Sequence, residues 1–178
     1  MLSYALLGED IKDVKLHDFV LEGQSDEAGM SFRLTTMAEV KPKEGASILL
    51  CKGKIALVEL QEEPSYRIER SGEDYVLIFE KPGKFPVELE FRAKVEEDDD
   101  LRSVELWLAS TPLRRLNVLG LPEEVKLEVS FATRPTLSQG SYSCVLSANP
   151  KLSMRWKVAS EEFSGKLFYA SSSIAELS

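Results

Sequence analysis

The sequence predicts an all-β fold: a β-sandwich of two packed antiparallel sheets, about ten to twelve strands in total, with little helix. Three observations carry this. Apolar and polar residues alternate with period two along most of the chain, the signature of strands with one buried and one wet face. Glycine and proline punctuate these runs at short, regular intervals, as turns do. No stretch of eleven or more residues keeps an i, i+3, i+4, i+7 apolar stripe, so no long amphipathic helix is expected.

In chain order, residues 14–21 are a short strand candidate, and His17 falls there as an exposed strand residue. Met30, Phe32 and Leu34 alternate with Ser31 and Arg33. Residues 47–51 and 55–60 are apolar runs joined by the tight connector Lys52-Gly53-Lys54, and 65–70 is a shorter candidate. A loop at 71–74 leads into 75–80. Lys81-Pro82-Gly83-Lys84 then suits a type II turn, with proline pre-setting φ and glycine accepting a positive one. It predicts a hairpin between 75–80 and 85–95. The latter is the clearest strand of all: Phe85, Val87, Leu89, Phe91, Ala93 and Val95 on one face, Pro86, Glu88, Glu90, Arg92 and Lys94 on the other. Its wet face favours an antiparallel sheet, and Pro86 places its start where no ladder bond is needed. Val104, Leu106 and Leu108 alternate with Glu105 and Trp107. Val125, Leu127, Val129 and Phe131 predict a seven-residue strand, followed by candidates at 141–147, 152–158 and 167–170. Short turns fit near 11–14, 136–139 and 160–163. The chain of 178 residues reads as a single domain, 1–178, with a weak possible boundary at 134–136.

Composition narrows function. Lys plus Arg is 22 and Asp plus Glu is 30, a net charge of -8. That balance argues against nucleic acid and anionic lipid surfaces as partners. No run of 18 apolar residues occurs, so no membrane insertion by a helix is expected. The first residues lack a basic n-region and meet Glu9 and Asp10 early, unlike a signal peptide. This fits a cytosolic chain, or an excised segment of a longer one. Cys51 and Cys144 stand far apart in no Cys-x-x-Cys pattern, and whether they pair is left open. One histidine and two distant cysteines cannot supply a closed tetrahedral metal set, so no cofactor and no transition metal is expected.

Candidate chemistry is sparse. His17 is the one imidazole, without a Gly-x-Ser-x-Gly elbow for a nucleophile. Glu59, Glu62 and Glu63 resemble a carboxylate-bearing strand of a glycosidase, but their spacing breaks the parity that would aim them into one cleft. The run Glu96-Glu97-Asp98-Asp99-Asp100 is a candidate cation loop through Asp98, Asp99 and Asp100, although it lacks the alternate acids and sixth-position glycine of an EF-hand. Its simpler reading is a solvated loop. Single scattered glycines offer no phosphate loop. Trp156 shares parity with Leu152 and Met154 and is expected in the core. Trp107 lies opposite its apolar neighbours, which makes it the best exposed ring, with Tyr66 and Tyr142 as further binding candidates and Tyr75 and Tyr169 behind them.

Residues 66–135 carry a resemblance. Tyr75-Val-Leu-Ile-Phe-Glu-Lys-Pro-Gly-Lys-Phe-Pro-Val-Glu-Leu-Glu-Phe-Arg-Ala, then Val104-Glu-Leu-Trp-Leu, then Leu116-Asn-Val-Leu-Gly-Leu-Pro is similar to β-rich modules of long bacterial envelope proteins. Some of these are linked to channel components of the MotA/TolQ/ExbB type. The resemblance covers about half the chain and implies an extracytoplasmic location, in the periplasm or envelope, with no catalytic residues to carry over. The expectation is therefore a non-catalytic structural or protein-interaction module. A carbohydrate-binding module using exposed aromatics is the alternative, and a glycoside hydrolase a more remote third. The expected partner is a protein or a glycan.

Overall fold

A computed structural model describes residues 13–26, 29–59, 65–122 and 125–157. The expected strand at 167–170, the turn at 160–163, and Glu62, Glu63 and Tyr169 lie outside these residues. Fourteen strands are present: β1 (Val14–Asp26), β2 (Gly29–Val40), β3 (Ala46–Gly53), β4 (Ile55–Glu59), β5 (Arg67–Ser71), β6 (Asp74–Phe79), β7 (Gly83–Ala93), β8 (Glu96–Asp98), β9 (Leu101–Leu108), β10 (Arg114–Leu119), β11 (Leu127–Val129), β12 (Thr136–Ser138), β13 (Ser141–Leu146) and β14 (Lys151–Lys157). They form two sheets of seven. The first has the order β12-β13-β10-β1-β2-β7-β4, and the second β11-β14-β9-β3-β6-β5 with β8 added beside β9. The expected β-sandwich is thus observed, with more strands than anticipated and one parallel pair, β1 with β10.

Alternation in the sequence becomes the inner and outer faces. From β7, Phe85, Val87, Leu89, Phe91 and Ala93 are buried, and β2 opposes them in register with Phe32 facing Phe91 and Leu34 facing Leu89. The second sheet contributes Tyr75, Leu77 and Phe79 from β6, Val104, Leu106 and Leu108 from β9, and Leu152, Met154 and Trp156 from β14. Burying such side chains supplies most of the drive to fold, about 1.5–3 kcal/mol each. Pro86 lies where β7 has β2 on one side and, among the described residues, no strand on the other, because β4 pairs only from Glu90 onward. Its missing N–H therefore breaks no ladder.

Parity fails once within β1. Asp18 takes φ 53°, and the β1–β2 register shifts between His17 and Val20. This bulge lets both Leu16 and Phe19 point inward, three positions apart. Gly45, at φ +85°, opens β3 from a turn in which its N–H bonds the Pro42 carbonyl at 3.2 Å. A Cβ there would sit 2.0 Å from the Phe79 carbonyl oxygen, so this position needs glycine.

Three expectations need correcting. Residues 75–80 and 85–95 do not form a hairpin. β6 pairs with β3 and β5 in one sheet, whereas β7 pairs with β2 and β4 in the other, so the Pro-Gly turn carries the chain across the sandwich. Residues 125–131 do not form one long strand. Only Leu127–Val129 forms a strand, and the chain leaves its sheet after Ser130. The segment 136–139 begins as the edge strand β12 rather than as a helical turn. C-terminal to Arg134–Thr136, β13 joins the first sheet beside β10 and β14 joins the second beside β9.

Candidate functional site

The open side of the sandwich framed by the edge strands β11 and β12 has the most distinctive surface. After β11 the backbone N–H of Ser130 still bonds the Ser153 carbonyl in the second sheet, at 2.9 Å. One residue later the partners change sheet. The Phe131 carbonyl accepts from Ser147 N–H at 2.7 Å, and Thr133 N–H donates to the Val145 carbonyl at 2.8 Å. Phe131 makes the corner with φ 56° and leaves its ring 54% exposed. Its apolar parity in the sequence predicts burial, and the corner overrides it. The two arms of this corner enclose a groove of about 380 Å³, lined by Val125, Leu127, Val129, Ala132, Arg134 and Tyr142 among others. Tyr142 is 6% exposed, and its hydroxyl donates to the Val125 carbonyl at 2.5 Å. It therefore ties β13 to the approach of β11 and is part of the wall, not the exposed platform that the sequence suggests.

Exposed apolar side chains recur on the strands of this side, on both faces of the sheet. Among the described residues eight large ones are exposed, and five of them, Leu113, Leu119, Phe131, Leu137 and Val145, lie on β10, β12, β13 or the segments beside them. Leu119 and Val145 break the parity of their own strands, since Leu116, Val118, Tyr142, Cys144 and Leu146 face the core. That violation is legible in the sequence and is the signal that reading for aromatics misses.

Charge is distributed unevenly in the same direction. No Asp or Glu occurs between Glu105 and Glu123, or between Glu128 and Glu161. β10 lies in the first acid-free stretch and β12, β13 and β14 in the second. Six basic residues fall in the two stretches: Arg114, Arg115, Arg134, Lys151, Arg155 and Lys157. Lys151 and Lys157 are ion-paired with Glu105 and Asp100. Among the described residues no carboxylate ion-pairs with Arg115 or Arg134. Glu128, at the groove, is held below the usual carboxylate range by Lys126, whose Nζ lies 2.7 Å away, with a smaller contribution from Arg155.

Arg114 is a different matter. It shares the inward parity of Leu116 and Val118 and is only 1% exposed. Its guanidinium donates to the main-chain carbonyls of Ala109, Ser147 and Asn149. Burial pulls its pKa below the ordinary value, since a desolvated cation without a carboxylate is costly. The three carbonyls offset part of that cost and pin the β9–β10 and β13–β14 connections together. The adjacent basic pair Arg114-Arg115 reads as surface charge unless the strand parity is followed.

The remaining candidates do not converge. Trp107 stands on the outer face of the second sheet, 37% exposed, with Lys151 Nζ 5.6 Å from its ring centroid and Lys52 opposite it on β3. Tyr66 packs its ring 5.9 Å from Phe79 and accepts from the Glu88 N–H at 3.4 Å, at the far side of the sandwich from β12 and β13. Tyr75 is buried, its hydroxyl donating to the Ile55 carbonyl. Asp98, Asp99 and Asp100 form the tip of the β8–β9 hairpin, with Asp99 at φ 52°. Glu96 pairs with Lys54, Glu97 with Arg102 and Asp100 with Lys157. Among the described residues no group of three or more His, Cys, Asp and Glu side chains is arranged to hold a metal ion, and three acids of the run are engaged in ion pairs in this hairpin region. His17 Nε2 lies 3.2 Å from Glu39 Oε2 on the outer face of the first sheet. Cys51 and Cys144 are both free and buried. Burial pushes their thiols up to about 12 and about 11, away from nucleophilic thiolates.

Comparison with known protein families gives no match, and comparison with curated proteins gives none. Solved structures do match. Aminopeptidase A from Legionella pneumophila, in complex with aspartic acid, is similar at a TM-score of 0.53 and 13% identity over 82% of this chain and 21% of that one. Leukotriene A4 hydrolase from Saccharomyces cerevisiae follows at 0.48 and 10%, over 82% of this chain and 29% of that one. An M1 zinc metallopeptidase from Deinococcus radiodurans gives 0.41 and 10%, over 82% and 42%. At such identities the likeness is one of fold. The chain spans between 21% and 42% of the length of these three structures.

Proposed function

We propose that this chain is a non-catalytic protein-docking module, of a bacterial envelope or surface protein, and that it docks through the side formed by β10, β12 and β13. The concentration of five of the eight exposed large apolar side chains on that side carries the reading. Apolar residues scattered evenly over a surface are ordinary, whereas their enrichment on the strands beside a groove is what a recognition surface would show. The likeness to 21% of Legionella pneumophila aminopeptidase A supports it in one respect: there, a fold of this kind is one part of a longer chain. The envelope location belongs to this proposal through the motifs of residues 66–135, and cell fractionation tests it.

The docking test places a photo-crosslinking residue at Leu119 or at Val145 in the full-length protein, in its native cells, with Lys15 and Glu88 as exposed control positions. Crosslinks to one defined protein from 119 and 145, and none from 15 and 88, are expected. Equal yields at all four sites, or none at 119 and 145, would overturn the reading. A glycan-binding module is the second reading, favoured by the half-exposed indole of Trp107. The absence of a second exposed ring beside it, among Tyr66, Tyr75 and Tyr142, weighs against an aromatic strip.

A further inference from the structure

We infer that the groove at the β11–β12 corner receives an extended peptide segment of a partner protein, one in which apolar residues alternate with Asp or Glu. The inference rests on the docking reading and adds the chemistry of the partner.

Charge complementarity is the first argument. The chain as a whole carries -8, yet β10, β12, β13 and β14 come from its two acid-free stretches; β11 brings one acid to the groove, Glu128, which is ion-paired with Lys126. Arg115 and Arg134 have no ion-pair partner among the described residues; Arg134 lines the groove and Arg115 lies outside its lining, on the outward parity of β10. Arg115 stands opposite Val145 across β10 and β13. The Val145 N–H donates to Thr133 Oγ1 at 3.0 Å, and Thr133 and Arg134 line the groove. A guanidinium at the rim of an apolar slot suits a carboxylate better than a hydroxyl or an amide, because its planar fork can bond both oxygens.

Shape is the second argument. The groove is lined by two arms of the chain, 125–129 and 132–135, of which Leu127–Val129 is strand β11. Val125, Leu127, Val129 and Ala132 present apolar surface in it. An extended peptide puts alternate side chains on opposite faces, so every second residue can enter the slot while those between meet Arg134 and the rim. Pro135 lies on the edge arm and lacks an N–H, which disfavours full strand addition there. Recognition by side chains in the groove is accordingly the better fit than a continued ladder. An anionic membrane is the weaker occupant: two unpaired guanidiniums are few for a polybasic surface, which typically gathers about 4–8 basic residues.

The test uses the 178-residue chain and two fluorescein-labelled pools of peptides of about ten residues, alternating Val, Leu or Phe with Asp or Glu in one pool and with Lys or Arg in the other. Fluorescence anisotropy should show binding of the acidic pool only, weakening several-fold between about 50 and 300 mM NaCl as screening shortens the reach of the charges. Arg134→Glu should weaken binding about tenfold or more, Arg134→Lys less, and both should melt at the wild-type temperature. Control arms are vesicles containing phosphatidylserine, and sedimentation of the chain alone at high concentration. Equal binding of both pools, binding of neither, insensitivity to Arg134→Glu, sedimentation with vesicles in place of peptide binding, or self-association through this side would each overturn the inference. Failure of both pools with crosslinking from Leu119 and Val145 intact removes the acidic peptide and leaves the docking reading. Loss of the crosslinks with peptide binding intact does the reverse.

Discussion

Phe79 and Phe85 stack across the turn that joins the two sheets, with ring centroids 5.2 Å apart and planes at 24°. Phe79 closes β6 on the inner face of one sheet, and Phe85 opens β7 on the inner face of the other. Lys81-Pro82-Gly83-Lys84 is therefore an arch over the core, and the stacked rings are its inner lining. Such a pair is worth about 0.5–1.5 kcal/mol beyond the area each ring buries. A double-mutant cycle on Phe79→Leu and Phe85→Leu, followed by urea unfolding, should give a coupling energy in that range. Additive effects would mean that the rings do not meet.

The arch also marks where sequence reading stops. Strand existence and facing were legible, because parity records which side of a strand is wet. Phe85 to Ala93, Val104 to Leu108 and Leu152 to Trp156 all point as their alternation says. Strand pairing was not legible. A Pro-Gly turn specifies a reversal, and a hairpin and an arch both reverse the chain; only the partners of β6 and β7, far away in sequence, distinguish them. The candidate site was hidden for a related reason. Its wall includes Tyr142, which looks like a surface aromatic until the approach to β11 is brought beside it. The exposed apolar residues Leu119 and Val145, outside the groove lining, violate parity one at a time and reach neighbouring strands only when β10 and β13 pair.

Register on β7 has a direct consequence for stability. Leu89 is buried and faces Leu34, whereas its neighbour Glu90 lies on the outer face beside Arg33, whose Nε donates to it at 2.8 Å. Leu89→Ala should cost about 2–5 kcal/mol through lost transfer energy and the cavity left behind. Glu90→Ala removes a solvent-screened ion pair and should cost at most about 1 kcal/mol. Urea midpoints at constant m-value measure both. Similar losses would show that the strand is not registered as described.

The two thiols give a dependence on alkaline pH. Burial pushes Cys51 up to about 12 and Cys144 up to about 11, against about 8.5 for an exposed thiol. The folded chain thus keeps protons that the unfolded chain releases. Their contribution to stability is complete below about pH 8.5 and is lost progressively as pH rises towards the folded values, by about 1.4 kcal/mol per pH unit for each thiol. Urea unfolding from pH 7 to 10 should show this slope in the wild type and a shallower one in Cys51→Ala. Iodoacetamide should label neither thiol in the native protein and both after unfolding. Rapid native labelling would contradict their burial.

The two tryptophans differ in environment, which allows Trp107 to be examined on its own. Trp156 is 2% exposed between the sheets, and Trp107 is 37% exposed on an outer face with Lys151 above its ring. Acrylamide should therefore quench one population readily and leave a second, blue-shifted one protected. Trp107→Phe should remove the accessible component and Trp156→Phe the protected one. Because Trp107 contributes little to the core, Trp107→Ala should cost about 1 kcal/mol or less, including loss of an exposed cation–π contact. Trp156→Ala should cost about 3–5 kcal/mol. The same variant separates the two functional readings. Trp107 belongs to the outer face of β9, away from the β11–β12 corner, so Trp107→Ala should leave crosslinking from Leu119 and Val145 unchanged. If it abolished binding to a glycan array while those crosslinks persisted, the outer face of the second sheet would be a recognition site in its own right.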